Sequence, residues 1–185
     1  MVVQGKEYKF INGVSLGLDG YCCEKGDRIR AAHRGSRPVR IHYTLIALKG
    51  ILFAYRPADC TVTVDGEEFT YRRVWLAPTM NGRYYGGGMM IAPTQDRLNA
   101  GRHVTFVAAH DLSRALILTL FPSIFGGKHL RYTKRVSVHT GHRVTVRFAR
   151  PCAFQIDGEP ISDVTEYTVL AGPAKADARP EPADL

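Results

Sequence analysis

No apolar run in this chain approaches the ~20 residues that a helix needs to cross a bilayer. The longest lipophilic stretch, RALILTLFPSIFGG, is broken at Pro122. Nor does the N-terminus, MVVQGKEYKF, carry the basic region and apolar core of a secretory leader, so a cytoplasmic location is expected. Cysteine is scarce. Cys22, Cys23, Cys60 and Cys152 have no metal-ligand spacing, and adjacent Cys22 and Cys23 make a poor disulfide or zinc motif. All four are expected to be reduced, which fits a reducing compartment. No serine sits in a Gly-x-Ser-x-Gly elbow, which leaves a hydrolase triad without support. The glycines of YYGGGMM lead into MMIAP, which is strand-like and lacks a lysine. A phosphate-cradling loop leads into a helix N-terminus and often carries Lys-Ser/Thr, so a bulge or tight crossing is expected instead. Among seven histidines, His139 and His142 are close, but HTGH straddles a turn with no carboxylate or cysteine beside it. Metal ligation is not expected there.

Acidic side chains are in deficit: 17 Asp and Glu stand against 25 Lys and Arg, a formal charge of +8. The basic excess lies in DRIRAAHRGSRPVRIHY (27–43) and GGKHLRYTKRVSVHTGHRVTVRFAR (126–150). Such a balance predicts attraction to polyanions. No nucleic-acid-binding motif accompanies it, so the expected partner is an anionic membrane surface and not nucleic acid. On a strand, Arg135, Ser137 and His139 share one face while Val136 and Val138 share the other. A solvated polar face is the plain reading of that alternation.

What is present is a succession of short strand patterns. With 45% hydrophobic and 23% charged residues, 185 residues suffice for one domain with a sizeable core, expected over 1–170. KEYKFINGVSLGLDGY (6–21) begins as a strand and ends in a glycine-punctuated loop. Residues 38–57 read as a helix, with Ile41, Thr44, Leu45 and Leu48 at helical spacing, then Leu52, and Pro57 as the stop. Residues 60–80 read as a hairpin and a strand, and 103–110 as another strand. Residues 111–125 form the second helix candidate, with Asp111 as N-cap. Further strands follow to Leu170, and the Pro- and Ala-rich tail 171–185 is expected to be disordered. The fold class is mainly β: a sandwich of antiparallel strands with two helices.

Two corners stand out, VTVDGEEF (62–69) and FQIDGEPI (154–161). Asp-Gly between alternating apolar residues is a strong hairpin signal, because glycine accepts positive φ. A tight turn is the simplest reading of each.

The order of several motifs goes further. FINGVSLGLDGY, ALKGILFAYRPADCTVTVDGEEF, NGRYYGGGMMIAP, DLSRALILTLFPSIFGGKHL and FQIDGEPI follow one another over residues ~8–170. Together they resemble the C-terminal domain of the diacylglycerol kinase-like lipid kinases, a family that includes sphingosine-type kinases and bacterial lipid kinases. The resemblance implies a two-domain enzyme of lipid metabolism and phospholipid biosynthesis. An N-terminal α/β domain with a Gly-Gly-Asp-Gly-Thr loop holds ATP, and the C-terminal sandwich receives the lipid. It also implies that the glutamate of the last Asp-Gly-Glu corner is a general base: Glu159 here, with Asp157 beside it. Asp65-Gly66-Glu67 matches a family position of no known catalytic role.

Two departures from the family pattern shape the expectation. No Gly-Gly-Asp-Gly-Thr occurs in the chain, so ATP and Mg2+ are expected to be held mainly by a nucleotide domain elsewhere, and none tightly by these residues. The family's magnesium aspartate falls at Ala100, with flanking carbonyls at Arg97 and Arg102, and Asp96 could substitute only if the loop shifts. An oxygen-ligand magnesium site without a carboxylate would be weak. The expected function is therefore the substrate-side domain of an ATP-dependent lipid kinase, inactive alone. Its expected partners are a lipid substrate, a nucleotide-binding domain from another chain, and a second copy of itself. The alternative is a non-catalytic lipid- or partner-binding module derived from such a kinase.

Overall fold

The computed structural model describes residues 1–34, 40–98 and 100–171. Most of the tail expected to be disordered, from residue 172 on, lies outside the described residues. In chain order the strands are β1 (Val2–Val3), β2 (Lys6–Glu7), β3 (Gly13–Gly17), β4 (Ala58–Val64), β5 (Glu67–Val74) and β6 (Leu76–Met80). After these come β7 (Tyr84–Tyr85), β8 (Met89–Met90), β9 (Val104–Ala109), β10 (Val136–Gly141), β11 (Arg143–Ile156) and β12 (Glu159–Leu170). The α-helices are α1 (Leu18–Ala32), α2 (Tyr43–Lys49), continued by a π-helical turn over Gly50–Ala54, and α3 (Arg114–Phe125).

The long hairpin β11–β12 joins two antiparallel layers. Its N-terminal β11 half, through Val144–Phe148, pairs with β4, which pairs with β5. Its C-terminal half, Phe154–Ile156, pairs with β3, and the path continues through β6 and β9 to β10. A register shift near Cys152 marks the bend between the halves. Alternation decides which side chains meet between the layers: Val62 and Val64 from β4, Val144 and Val146 from β11, and Leu16 and Phe154 from the other layer. A second cluster lies on the outer face of the β3–β6–β9–β10 layer, where Leu76, Val107 and Ala109 meet Leu18, Ile51, Ile117 and Leu120. Strand β9 is buried on both faces as a result.

The strand order of the sequence reading holds, but the helices differ from it. Among the described residues there are three α-helices, not two. Helix α1 starts at Leu18, inside the end of 6–21 that reads as a glycine-punctuated loop, and runs on to Ala32. Its glycines allow close approach and do not break the helix. A Cβ on Gly20 would lie 2.1 Å from the Ala153 carbonyl oxygen of β11, and one on Gly26 2.8 Å from the Tyr43 ring. Gly20→Ala should therefore destabilise the fold by about 1–3 kcal/mol, the range for forcing extra volume into a packed site. Urea titration should show a lower midpoint at unchanged slope.

Of the helix expected over 38–57, residues 38 and 39 lie outside the described residues, 40–42 are not helical, and α2 begins at Tyr43 and ends in the π turn three residues before Pro57. The cap of α3 is Ser113, whose Oγ accepts the Leu116 N–H, and not Asp111. Asp111 instead takes φ +53° ahead of the helix. The polar face of β10 is not simply solvated either. His139 stacks on Phe69 with ring centroids 3.9 Å apart and meets the Tyr71 hydroxyl at 2.5 Å, while Val138 is exposed. Phe69 and Tyr71 of β5 pack against that face at His139.

Candidate functional site

Both Asp-Gly-Glu corners are tight hairpin turns with the same backbone. Asp65 and Asp157 each have φ +49°, followed by glycine at +97° and +98°. The two aspartates also do the same work. Asp65 accepts the N–H groups of His142 and Arg143, and these backbone hydrogen bonds hold its pKa below the ordinary value. Asp157 accepts three: Ile11 N–H at 2.6 Å, Asn12 N–H at 2.9 Å and Gly13 N–H at 2.9 Å. Each carboxylate thus ties its hairpin to a neighbouring chain segment. What separates the turns is their surroundings.

The turn at Asp157 stands at the edge of a cleft of about 600 Å³, and the turn at Asp65 does not. Seven separate pieces of chain build that cleft: Asn12 and Gly13 at the start of β3, α1, residues 40–47, Leu76 of β6, the β7–β8 turn at Tyr85–Met89, the C-terminal end of α3, and the β11–β12 turn. Glu159 is exposed at its lip. Buried Gln155 positions the turn, because its Oε1 accepts the Gly158 N–H at 2.7 Å. Asn12 knits the near wall. Its side chain donates to the Tyr84 carbonyl at 2.5 Å and accepts from Arg97 at 2.9 Å. Across the cleft, Arg30 donates to the Tyr43 hydroxyl at 2.5 Å and pairs with Asp27.

The cleft wall contains a carboxylate that sequence reasoning missed. Asp19, in the first turn of α1, has both oxygens shut off from solvent and without a hydrogen-bond partner. Ser15, Gln155 and the Gly20 amide are near enough to lower its pKa in part. Burial outweighs them and pushes it up to about 6. The Tyr85 hydroxyl, also in the lining, is likewise buried and unpartnered. Buried polar atoms in native proteins almost always have partners. Two orphans in one cleft mark where a ligand hydroxyl, amine or water would complete the set. The signal in the sequence was Asp19 at the end of SLGLD, hidden by its assignment to a loop. Cys22 and Cys23 also line the cleft, but burial raises both thiols, Cys23 to about 12, so neither supplies a thiolate.

The loop where the family pattern places magnesium, expected to be a weak site, offers that ion no side-chain carboxylate at Ala100. There the Gly101 carbonyl accepts from His142 Nε2 at 2.8 Å, and Asp96 accepts the Leu98 N–H at 3.0 Å. Among the described residues no group of three metal-ligating side chains comes together. The three glycines Gly86–Gly88 all take positive φ in the turn between β7 and β8, and no helix follows them. Nor is any helix among the described residues long and apolar enough to cross a membrane.

Comparison with known proteins agrees with this architecture. Residues 12–178 match the model of the YegS C-terminal NAD kinase beta sandwich-like domain. Two curated relatives, both named diacylglycerol kinase and both from Mycobacterium tuberculosis (strains CDC 1551 / Oshkosh and ATCC 25618 / H37Rv), are 32% identical over 126 residues, 68% of this chain. The match covers 38% of each relative, so the chain spans about two-fifths of their length. Among solved structures, a diacylglycerol kinase of Bacillus anthracis strain Sterne superposes with a TM-score of 0.51 at 12% identity, over 88% of this chain and 47% of that one. A second crystal structure from that strain, given the same assignment provisionally, reaches 0.56 at 15% identity, over 88% and 52%. At such identities the structures speak for the fold alone.

Proposed function

The chain belongs to the YegS C-terminal domain family of the diacylglycerol kinase-like proteins, and on that premise we propose that it is the substrate-side domain of an ATP-dependent lipid kinase. The observation that carries this reading is the unpartnered Asp19 carboxylate in the wall of a cleft whose lip holds Glu159. A lipid headgroup such as that of a diacylglycerol enters hydroxyl first. Asp19 and Tyr85 take up one polar group of the headgroup. Glu159 accepts the proton of the reacting hydroxyl as its oxygen attacks the γ-phosphate of ATP. Asp157 holds the turn that aims Glu159 and does not itself touch the substrate. The phosphates are presented by a nucleotide-binding domain, since phosphoryl transfer depends on holding them in line and these residues contain no loop for that purpose.

The test is transfer of labelled γ-phosphate from ATP to diacylglycerol in mixed micelles. The chain is assayed alone and mixed with the nucleotide domain of a related kinase. Product is expected in the mixture and not with the chain alone. The second reading, a non-catalytic lipid-binding module, is favoured by one observation: the Gly101 carbonyl is held by His142 where the family places magnesium. Lipid binding without transfer in the mixture would support that reading and refute the first.

A further inference from the structure

Gln155 stands between Asp19 in the cleft wall and the turn that carries Glu159 at the lip. On β11 it is paired with Ser15 of β3 in an antiparallel register. Alternation turns Leu16 and Phe154 into the core between the layers, so Ser15, Ala153 and Gln155 face α1. The first turn of α1 is pressed against them, since a Cβ on Gly20 would lie 2.1 Å from the Ala153 carbonyl oxygen. Asp19, one residue earlier, comes to rest beside Ser15 and Gln155. The Gln155 amide is buried, and its two ends have opposite chemistry. Oε1 accepts the Gly158 N–H at 2.7 Å. Only oxygen can accept that proton, so the donating Nε2 is the end left for Asp19. It comes near enough to help lower the Asp19 pKa, short of a full hydrogen bond.

The three N–H groups that Asp157 accepts hold the front of the turn. Gly158, the residue before Glu159, is held from the other side by Gln155. We infer that Gln155 is a positioning residue that aims Glu159 through the Gly158 N–H, with the Asp19 carboxylate setting which way its amide points. An ionised Asp19 can only accept, so it draws Nε2 towards itself and leaves Oε1 for Gly158. A protonated Asp19 has an O–H to give, and that proton competes with Gly158 for Oε1. A headgroup donor bound to Asp19 favours the ionised form and so firms the turn as the substrate arrives. This inference rests on the kinase reading for its purpose, but the link from Asp19 to Gly158 is a property of the chain alone.

The test follows the backbone amide of Gly158 by NMR in the isotopically labelled chain, between about pH 4 and pH 8. Its shift should titrate with the Asp19 carboxyl, which burial raises to about 6. Asp19→Asn should abolish the transition. So should Gln155→Met, which keeps the length of the side chain and removes its amide. Burial raises the Cys22 and Cys23 thiols and the hydroxyls of Tyr55, Tyr85 and Tyr167 above this range. A transition from Asp157 or Glu159 in the turn, or from Arg30, Arg40 or His42 across the cleft, would survive Asp19→Asn. In the reconstituted mixture Gln155→Met should lower kcat by about tenfold or more, the cost of a misaimed group, and leave KM nearly unchanged. A Gly158 amide that does not titrate, or whose transition survives Asp19→Asn or Gln155→Met, would overturn the inference. So would a loss in Gln155→Met confined to KM, which would put Gln155 on the headgroup instead. Asp19→Asn leaves the Gln155 amide in place, so it decides the link even where Gln155→Met fails to fold. A wild-type chain that shows the transition but transfers no phosphate in the mixture would retain the link and reject the kinase reading.

Discussion

Glu159→Gln should lower kcat/KM for phosphoryl transfer by about 10²–10⁴-fold in the reconstituted mixture, the range that a positioned general base contributes. Glutamine preserves the size and the hydrogen-bonding reach of the side chain but cannot accept the proton. Glu159 is exposed and follows the turn that Asp157 pins, so the change should leave the thermal midpoint within the scatter of surface substitutions. The chain supplies its own control. Glu67 occupies the equivalent place in the other Asp-Gly-Glu turn, with the same backbone angles before it, but no part of that turn lines the cleft. Glu67→Gln should therefore leave the rate unchanged. If the two substitutions had equal effects, the glutamate would act through the hairpin and not through the substrate. If neither lowered the rate, the base would have to be sought at Asp19.

That contrast also shows how far the sequence could be read. Both hairpins were visible, because Asp-Gly dictates a turn locally and, at the first, valines and threonines alternate through β4. The strands of the long β11–β12 hairpin were legible for the same reason. Helix α1 was not. Gly20 and Gly26 look like punctuation in a linear reading, and their purpose is seen only when Ala153 and Tyr43 come against them from more than a hundred and from seventeen residues away. The cleft was equally hidden, since seven separate segments build it and no one of them marks it in the linear sequence. Glu159 was reached through resemblance to a family. Asp19 was reached only through burial, which is a property of the assembled fold.

Asp19→Asn should raise stability at neutral pH while lowering activity. The ordinary carboxyl pKa of 3.8 rises to about 6 in the folded chain because burial disfavours the anion. Between those two values the folded state binds more protons than the unfolded one, so the contribution of Asp19 to stability falls as pH rises through the window. Above pH 6 the full penalty is present, and by this shift it amounts to at most about 3 kcal/mol. Asparagine removes the charge but buries an amide that has no partner, which costs about 1–3 kcal/mol. The net gain at pH 7.5 should be about 1 kcal/mol, read as a higher thermal midpoint, and it should reverse to a loss of about 2 kcal/mol near pH 4, where the wild-type carboxyl is already protonated and only the cost of the buried amide remains. In the reconstituted mixture the same substitution should cost about 10²-fold in kcat/KM, as a charged hydrogen bond to the lipid headgroup is lost. The loss should appear chiefly as a higher KM, because Asp19 binds and does not exchange the reacting proton. A wild-type chain that loses stability instead as pH falls from 6 to 4, with Asp19→Asn abolishing that trend, would mean that the carboxylate has a donor within the fold. The cleft would then lack the orphaned anion on which its reading as a headgroup site depends.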